Sequence, residues 1–401
     1  MKIADAYVFV FAPFESLRQL RDWGMLDREL MLLSALAERY GRVIVMTYGP
    51  GSDRELIGLL PANCEIVCNE RGLDTAEYLG TVPERVAGLL GGIGSAVVRM
   101  HQMWHGDVAV NIAALLRAKG VRTGLVARCG YVWSQFVAKS QGPAVPRAVE
   151  ARQVEGEVCR AADVVVATTQ RMLDDLCWAH AVDPARARLI PNFVPDDRPV
   201  VGEAGRDARE ILYAGRFTAQ KRLDLLIDAV ALLPESLGAR LRLIGNGELE
   251  TDLRARAEEK GIRCAFESRL PHGAMLGAME RCGVYAQPSA YEGHPRTVIE
   301  AMSTGAPTLV TDTDGQGPEV IDGVTGLKAS MDPASIVAGL GRLLGDRSLA
   351  ARLGKEGAKD VRARFGFSVL LEEELATQRE ALERAGERQD QASVPGGVRF
   401  G

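Results

Sequence analysis

The sequence has no long apolar run. The longest, VAGLLGGIGSAVV at 86–98, is interrupted by glycine and falls well short of the ~20 residues a membrane-crossing helix needs. Cysteine is sparse. Seven residues are scattered without zinc-ligand spacing, only Cys64 and Cys68 lying close together in a strand-like stretch. That excludes a disulfide framework and points to free thiols in a reducing compartment. Basic residues are not in excess: 48 Lys and Arg against 53 Asp and Glu give a net charge of −5, which argues against nucleic acid as a partner. The start, MKIADAYVFVFAP, turns acidic too early for a secretory leader. These features lead to an expectation of a cytoplasmic protein, with at most a peripheral contact at the inner face of a membrane.

What is present is alternation. Strand-like runs such as YVFVF (7–11), RVIVMTY (42–48), SAVVRM (95–100), RTGLVAR (122–128) and DVVVAT (163–168) are separated by amphipathic segments. In one of these, residues 27–41, Leu30, Leu33 and Ala37 recur at helical spacing and Gly41 is expected to cap the helix. Repeated βα units predict an α/β protein with parallel sheets covered on both faces. The stretch IPNFVPDDRPVVGEAGRDARE (190–210), rich in proline, glycine and charge, predicts a linker, and βα alternation restarts after it. With 401 residues two domains are expected. We place an N-terminal doubly wound domain at 1–193 and a second at 194–366, with a helix at 367–387 returning to the first and a disordered tail at 388–401. The cleft between two such domains is the expected binding site.

The motifs cluster in the second half. In YEGHPRTVIEAM (291–302), Pro295 suits the first turn of a helix, where its missing N–H costs nothing. Glu292 then precedes the helix start, and Glu300 lies five residues beyond Pro295, about 7.5 Å along the axis. A helix N-terminus between two carboxylates suits a diphosphate flanked by hydroxyl-bearing groups, which is the layout of a nucleotide sugar. The reading with no ligand is a capping acid plus a surface glutamate. Gly293, His294 and Thr297 fall within this segment. In YAGRFTAQKR, Gly215 and Arg216 end a strand and Lys221 opens the next helix, so both cations can reach a diphosphate. LIGNGE offers Gly245 and Asn246, and TDTDGQGPEVI offers Gly317 in a glycine-rich loop. DTD at 312–314 copies a metal-binding pattern, but with the diphosphate already neutralised by the two cations no metal and no cofactor are expected.

These motifs, in this order, resemble the donor domain of the retaining GT-B glycosyltransferases of family four, over about 185–385. The paired-glutamate signature is met by Glu292 and Glu300, and the G-R-(F/L)-x-x-x-K segment by Gly215, Arg216 and Lys221. The glycine usual after that lysine is Arg222 here. The resemblance implies two Rossmann-like domains facing a cleft. It implies that Glu292 contacts the transferred sugar, Glu300 the ribose, and Arg216 and Lys221 the diphosphate of a nucleotide-sugar donor, which we take to be a UDP-sugar. The first half matches less closely. Only Gly24 stands for a glycine pair after the first strand, and no histidine clearly replaces one the family often carries. Arg128, His101 and His105 remain as candidates there, the first two catalytic, with structural roles as the alternative for all three. The expected function is retaining transfer to a hydroxyl of a glycan, lipid-linked or small-molecule acceptor. The alternatives are a non-catalytic nucleotide-sugar-binding protein or an epimerase on the same fold. Aromatics beside basic residues in YVWSQFVAK (131–139) and RQLRDW (18–23) are where the first domain would rest on a membrane.

Overall fold

A computed structural model describes residues 2–313 and 319–393, with side chains through residue 389. The chain divides into two compact units. One comprises the chain up to Ile190 and from Leu371 onward; the other is Pro191–Leu370.

The first unit holds a seven-stranded sheet. Its strands are β1 (Ala4–Val10), β2 (Tyr40–Pro50), β3 (Cys64–Asn69), β4 (Ser95–Met100), β5 (Arg122–Cys129), β6 (Val164–Ala167) and β7 (Ala187–Leu189), in the order β3-β2-β1-β4-β5-β6-β7. All neighbours are parallel. Val8, Ile44, Val98 and Leu125 are fully buried, as expected for strands covered on both faces. Gly41 does not cap a helix. The helix ends at Ala37, and Gly41 lies in β2, where a Cβ would approach Asp5 O at 2.8 Å. All seven cysteines are free thiols.

The second unit repeats the plan with β8 (Asp207–Ala214), β9 (Arg240–Ile244), β10 (Cys264–Glu267), β11 (Cys282–Gln287), β12 (Thr308–Thr311) and β13 (Leu327–Ala329), in the order β10-β9-β8-β11-β12-β13. These neighbours are parallel too. Most of the expected linker is folded onto this unit. Val194 N–H donates to Phe365 O at 2.8 Å, and Phe367 N–H donates to Val194 O at 2.9 Å. The Arg206 guanidinium donates to the carbonyls of Val201, Met279 and Thr304.

The last helix spans Phe367–Ser393, so residues 388–393 are helical rather than part of a disordered tail. It begins in the second unit, and from Leu371 the chain belongs to the first. There its buried face carries Glu374, Leu375, Thr377, Gln378 and Ala381. Glu374 takes a bidentate ion pair from Arg99 of β4, at 3.1 and 2.6 Å, and Gln378 accepts from the Tyr40 hydroxyl at 2.6 Å. Gly124 of β5 permits the close approach: a Cβ there would meet the Ala381 backbone at 2.7 Å. Among the described residues no helix is long and apolar enough to cross a membrane.

Candidate functional site

In the second sheet the strand order reverses between β8 and β11. Loops leaving the carboxyl ends of such a pair diverge and leave a crevice. The loop after β8 carries Gly215, Arg216 and Lys221, and the loop after β11 carries Glu292, Gly293 and His294. The fold therefore brings the two motifs together. Lys221 Nζ pairs with Glu292, with both side chains largely buried. Gln287, the last residue of β11, donates from Nε2 to Glu292 Oε1 at 2.9 Å. Its Oε1 accepts from Thr297 Oγ1 at 2.9 Å and from the Tyr285 hydroxyl at 3.0 Å. Burial keeps the Tyr285 phenol far above its ordinary pKa, so it is a donor, and this network fixes the amide's orientation. Gln220 ties the two loops again: its Nε2 donates to Tyr291 O at 2.6 Å and its carbonyl accepts from Ala290 N–H at 2.8 Å. Gln287 and Gln220 carry no motif signal. Only the fold shows that they hold the glutamate.

Arg216 is exposed beside this network. Burial and the nearby Arg216 charge both lower the pKa of Arg269. Arg269 has no place in the sequence motifs. Gly245 is required by contact, since a Cβ there would fall 1.8 Å from Gly215 O, and a Cβ on Gly215 would meet the Tyr213 hydroxyl at 2.5 Å. Asn246 is exposed, and its carbonyl accepts from Phe217 N–H at 2.9 Å. Arg222 adopts φ +48°, a left-handed conformation that favours glycine. That is a backbone reason for a glycine at this position. Here the arginine side chain clamps Asp224 instead.

The helix after the loop is Arg296–Ser303, with Pro295 at its N-cap rather than in its first turn. Glu300 lies on the buried face of that helix, 3% exposed, with Oε1 3.0 Å from His272 Nε2. The His294 ring faces inward. Its Nδ1 accepts from Asn192 N–H at 3.3 Å, its carbonyl accepts from Asn192 Nδ2 at 2.9 Å, and its ring lies edge-on to Phe365. Its Nε2 is 3.6 Å from Glu319, whose carboxyl burial pushes up to about 7. Asp312 lies 3.2 Å from Lys328. Asp314 and Gly317 lie outside the described residues.

In the first unit the candidates separate. Arg128 is the penultimate residue of β5 and is 5% exposed. It lies 3.8 Å from Glu374. Burial, then the charge of Arg99, lowers its pKa to about 10. It belongs to the buried charge cluster beneath the last helix, the kind of structural role given as its alternative. His101 is half-buried against Phe9, with Nδ1 3.9 Å from Glu29. His105 adopts φ +53° and stacks edge-on with Trp104 and Phe14. Gly24 adopts φ +68° and donates to Arg21 O, ending the helix Leu17–Asp22.

Residues 197–360 match the model of the family described as glycosyl transferases group 1. Every candidate of the second unit, from Gly215 to Glu319, falls inside the glycosyl transferases group 1 stretch, and Asn192, which holds His294, falls just outside it. The chain is 27% identical over 252 residues to the glycogen synthase of Mycobacterium tuberculosis, covering 60% of this chain and 59% of that protein. It is 22% identical over 336 residues to an uncharacterized glycosyltransferase of Methanocaldococcus jannaschii, covering 78% of this chain and 83% of the other. It therefore spans about three fifths of the mycobacterial relative's length. The crystal structure of HepE from Anabaena in complex with UDP and glucose aligns with a TM-score of 0.71 at 15% identity, covering 93% of this chain and 98% of the other. That likeness shows the fold: GT-B, α/β, with two parallel sheets.

Proposed function

We propose that the protein is a retaining glycosyltransferase. The second unit binds a nucleoside diphosphate sugar, a UDP-sugar, and the sugar passes to a hydroxyl of a glycan, lipid-linked or small-molecule acceptor held by the first. The observation that carries this reading is the buried Lys221–Glu292 pair at the reversal point of the second sheet, with Glu300 farther along the same segment. Arg216 and Lys221 hold the diphosphate and neutralise the leaving group. Glu292 accepts from hydroxyls of the transferred sugar and stabilises positive charge growing at the anomeric carbon. Glu300 accepts from the ribose hydroxyls. The acceptor attacks from the face the diphosphate leaves, and a leaving phosphate oxygen takes the proton. Two side-chain cations do the work of a metal, so the reaction needs none. The UDP and glucose held by HepE support the choice of donor. The cytoplasm, at the inner face of a membrane, is the setting we infer.

Thermal shift against UDP-, GDP-, ADP- and dTDP-sugars, followed by a transfer assay in excess chelator, tests this. UDP-sugars should stabilise the protein most, and transfer should survive chelation. Activity lost to chelator and restored by a divalent ion would overturn the metal-free mechanism. No stabilisation by any of the sugars would overturn the donor reading.

A further inference from the structure

Glu300 is a carboxylate taken almost fully out of water, which is costly unless hydrogen-bond donors face it. One donor comes from outside both motifs. His272 opens the helix His272–Arg281, and its Nε2 lies 3.0 Å from Glu300 Oε1, the two side chains being 11% and 4% exposed. A carboxylate oxygen only accepts, so Nε2 must carry a proton. The two helices also share one apolar cluster, in which Leu276 and Met279 of the first meet Val298, Ile299 and Met302 of the second. His272 is thus anchored on a packed element rather than on a loop.

We infer that His272 is a positioning residue for the donor's ribose: by holding Oε1 it fixes the carboxylate of Glu300 in the orientation that accepts the ribose hydroxyls. The inference rests on the reading that Glu300 binds ribose. The physical gain is preorganisation. A carboxylate whose rotation is already restrained loses less freedom when ligand hydroxyls engage it. His272 itself touches no reacting atom, so its effect should appear in donor affinity and not in kcat.

A merely structural role, as helix–helix filler, predicts something different. A filler supports every ligand equally, whereas a positioning residue matters only while both Glu300 and the ribose hydroxyls are present. Calorimetry on the full chain separates the two, using UDP and 2′,3′-dideoxy-UDP. His272→Ala should weaken UDP binding roughly five- to thirty-fold, as expected for the loss of one charge-assisted hydrogen bond, and leave dideoxy-UDP unchanged. In a Glu300→Ala background it should add nothing. His272→Gln, whose amide N–H reaches near the Nε2 position, should restore most of the affinity, while His272→Asn, whose amide sits nearer Nδ1, should not. These two conservative variants carry the test if alanine impairs folding. Equal losses for both nucleotides, or a full loss in the Glu300→Ala background, would make His272 filler and overturn the inference, as would unchanged UDP affinity. If Glu300→Ala itself leaves the preference for UDP over dideoxy-UDP intact, the ribose reading fails, and that result is distinct from a failure of His272. If wild-type protein ignores UDP, the same series is run with GDP and ADP. Binding of none of the three overturns both.

Discussion

Glu292 and Glu300 belong to one segment but meet different surroundings, and their variants should differ accordingly. Glu300→Ala removes a buried acceptor that, in the proposed mechanism, serves a part of the donor unchanged by reaction. It should weaken donor binding by ~1.5–3 kcal/mol, roughly 10- to 150-fold, with little change in kcat. Glu292→Gln keeps shape and one acceptor but removes the charge opposite Lys221. It should lower kcat more than it raises donor KM. Steady-state kinetics against varied donor decide this, and wild-type donor KM in the first with wild-type kcat in the second would reject the assignment. Glu319 offers a test by pH. Its carboxyl is pushed up to about 7, chiefly by burial, and His294 Nε2 at 3.6 Å is too far for a good hydrogen bond to its ionised form. Between the ordinary carboxylate range and about pH 7 the folded protein keeps a proton that the unfolded chain has lost. Stability from this group therefore falls as pH rises through that window, by at most about 1.4 kcal/mol per unit. Denaturant unfolding of wild type and Glu319→Gln from pH 4.5 to 8 should show a falling difference between them. A constant difference would mean that the carboxyl titrates normally.

At the scale of elements, the βα alternation was legible because parallel strands buried on both faces are runs of Val, Ile and Ala. Strands β7, β10 and β13 have three or four residues each, too few to show a period. The candidate segment was legible because its two glutamates and its proline lie in one short stretch of chain, as Gly215, Arg216 and Lys221 do in another. Its supports were not: Gln287, His272 and Asn192 reach it from other elements, and no spacing in the sequence marks them. The structural alternative for Arg128 was undecided for a similar reason. The acid beside it and Arg99 is Glu374, 275 residues beyond Arg99, on the helix expected to return to the first domain. An arginine inside an apolar strand such as SAVVRM is itself a signal, because burying it demands a partner. The Arg99–Glu374 pair, 2% and 5% exposed, gives a prediction for the last helix. Glu374→Ala leaves buried guanidinium charge uncompensated and should cost ~3–5 kcal/mol, whereas the joint change of Arg99→Met and Arg128→Met with Glu374→Leu should cost clearly less. Chemical denaturation of wild type and both variants measures this, and a triple variant as unstable as the single would show that the ion pairs themselves, not the uncompensated charge, hold the helix.

For the whole molecule, the question is what the donor unit needs in order to stand alone. A cut at 196 and 365, inside the proline- and glycine-rich stretch and at the end of the second sheet, looks natural from composition. The structure shows why it should fail. Asn192 makes two hydrogen bonds to His294, the residue between Glu292 and Pro295. Val194 is bonded on one side to Phe365 and on the other to Phe367, and the rings of Phe193 and Phe367 meet at 5.0 Å. Asp196 accepts from Ser368 N–H at 3.0 Å and Oγ at 2.6 Å, at the start of the last helix. The two ends of the unit are thus locked to each other, and one of them is locked to the loop that carries Glu292. A fragment Pro191–Leu370 keeps every one of these bonds. We expect it to fold cooperatively and to bind UDP within about ten-fold of the full chain, because the proposed phosphate and ribose ligands all lie inside it. A fragment 196–365 loses Asn192, Val194 and Ser368 together. At roughly 1 kcal/mol for each of the bonds removed, against a total stability of ~5–15 kcal/mol for a domain, it should be much less stable and bind weakly or not at all. Circular dichroism melts and calorimetry on both fragments make the comparison. Equal binding by the two would show that the lock between the ends has no bearing on the loop of Glu292, and binding by neither would place essential donor contacts outside this unit.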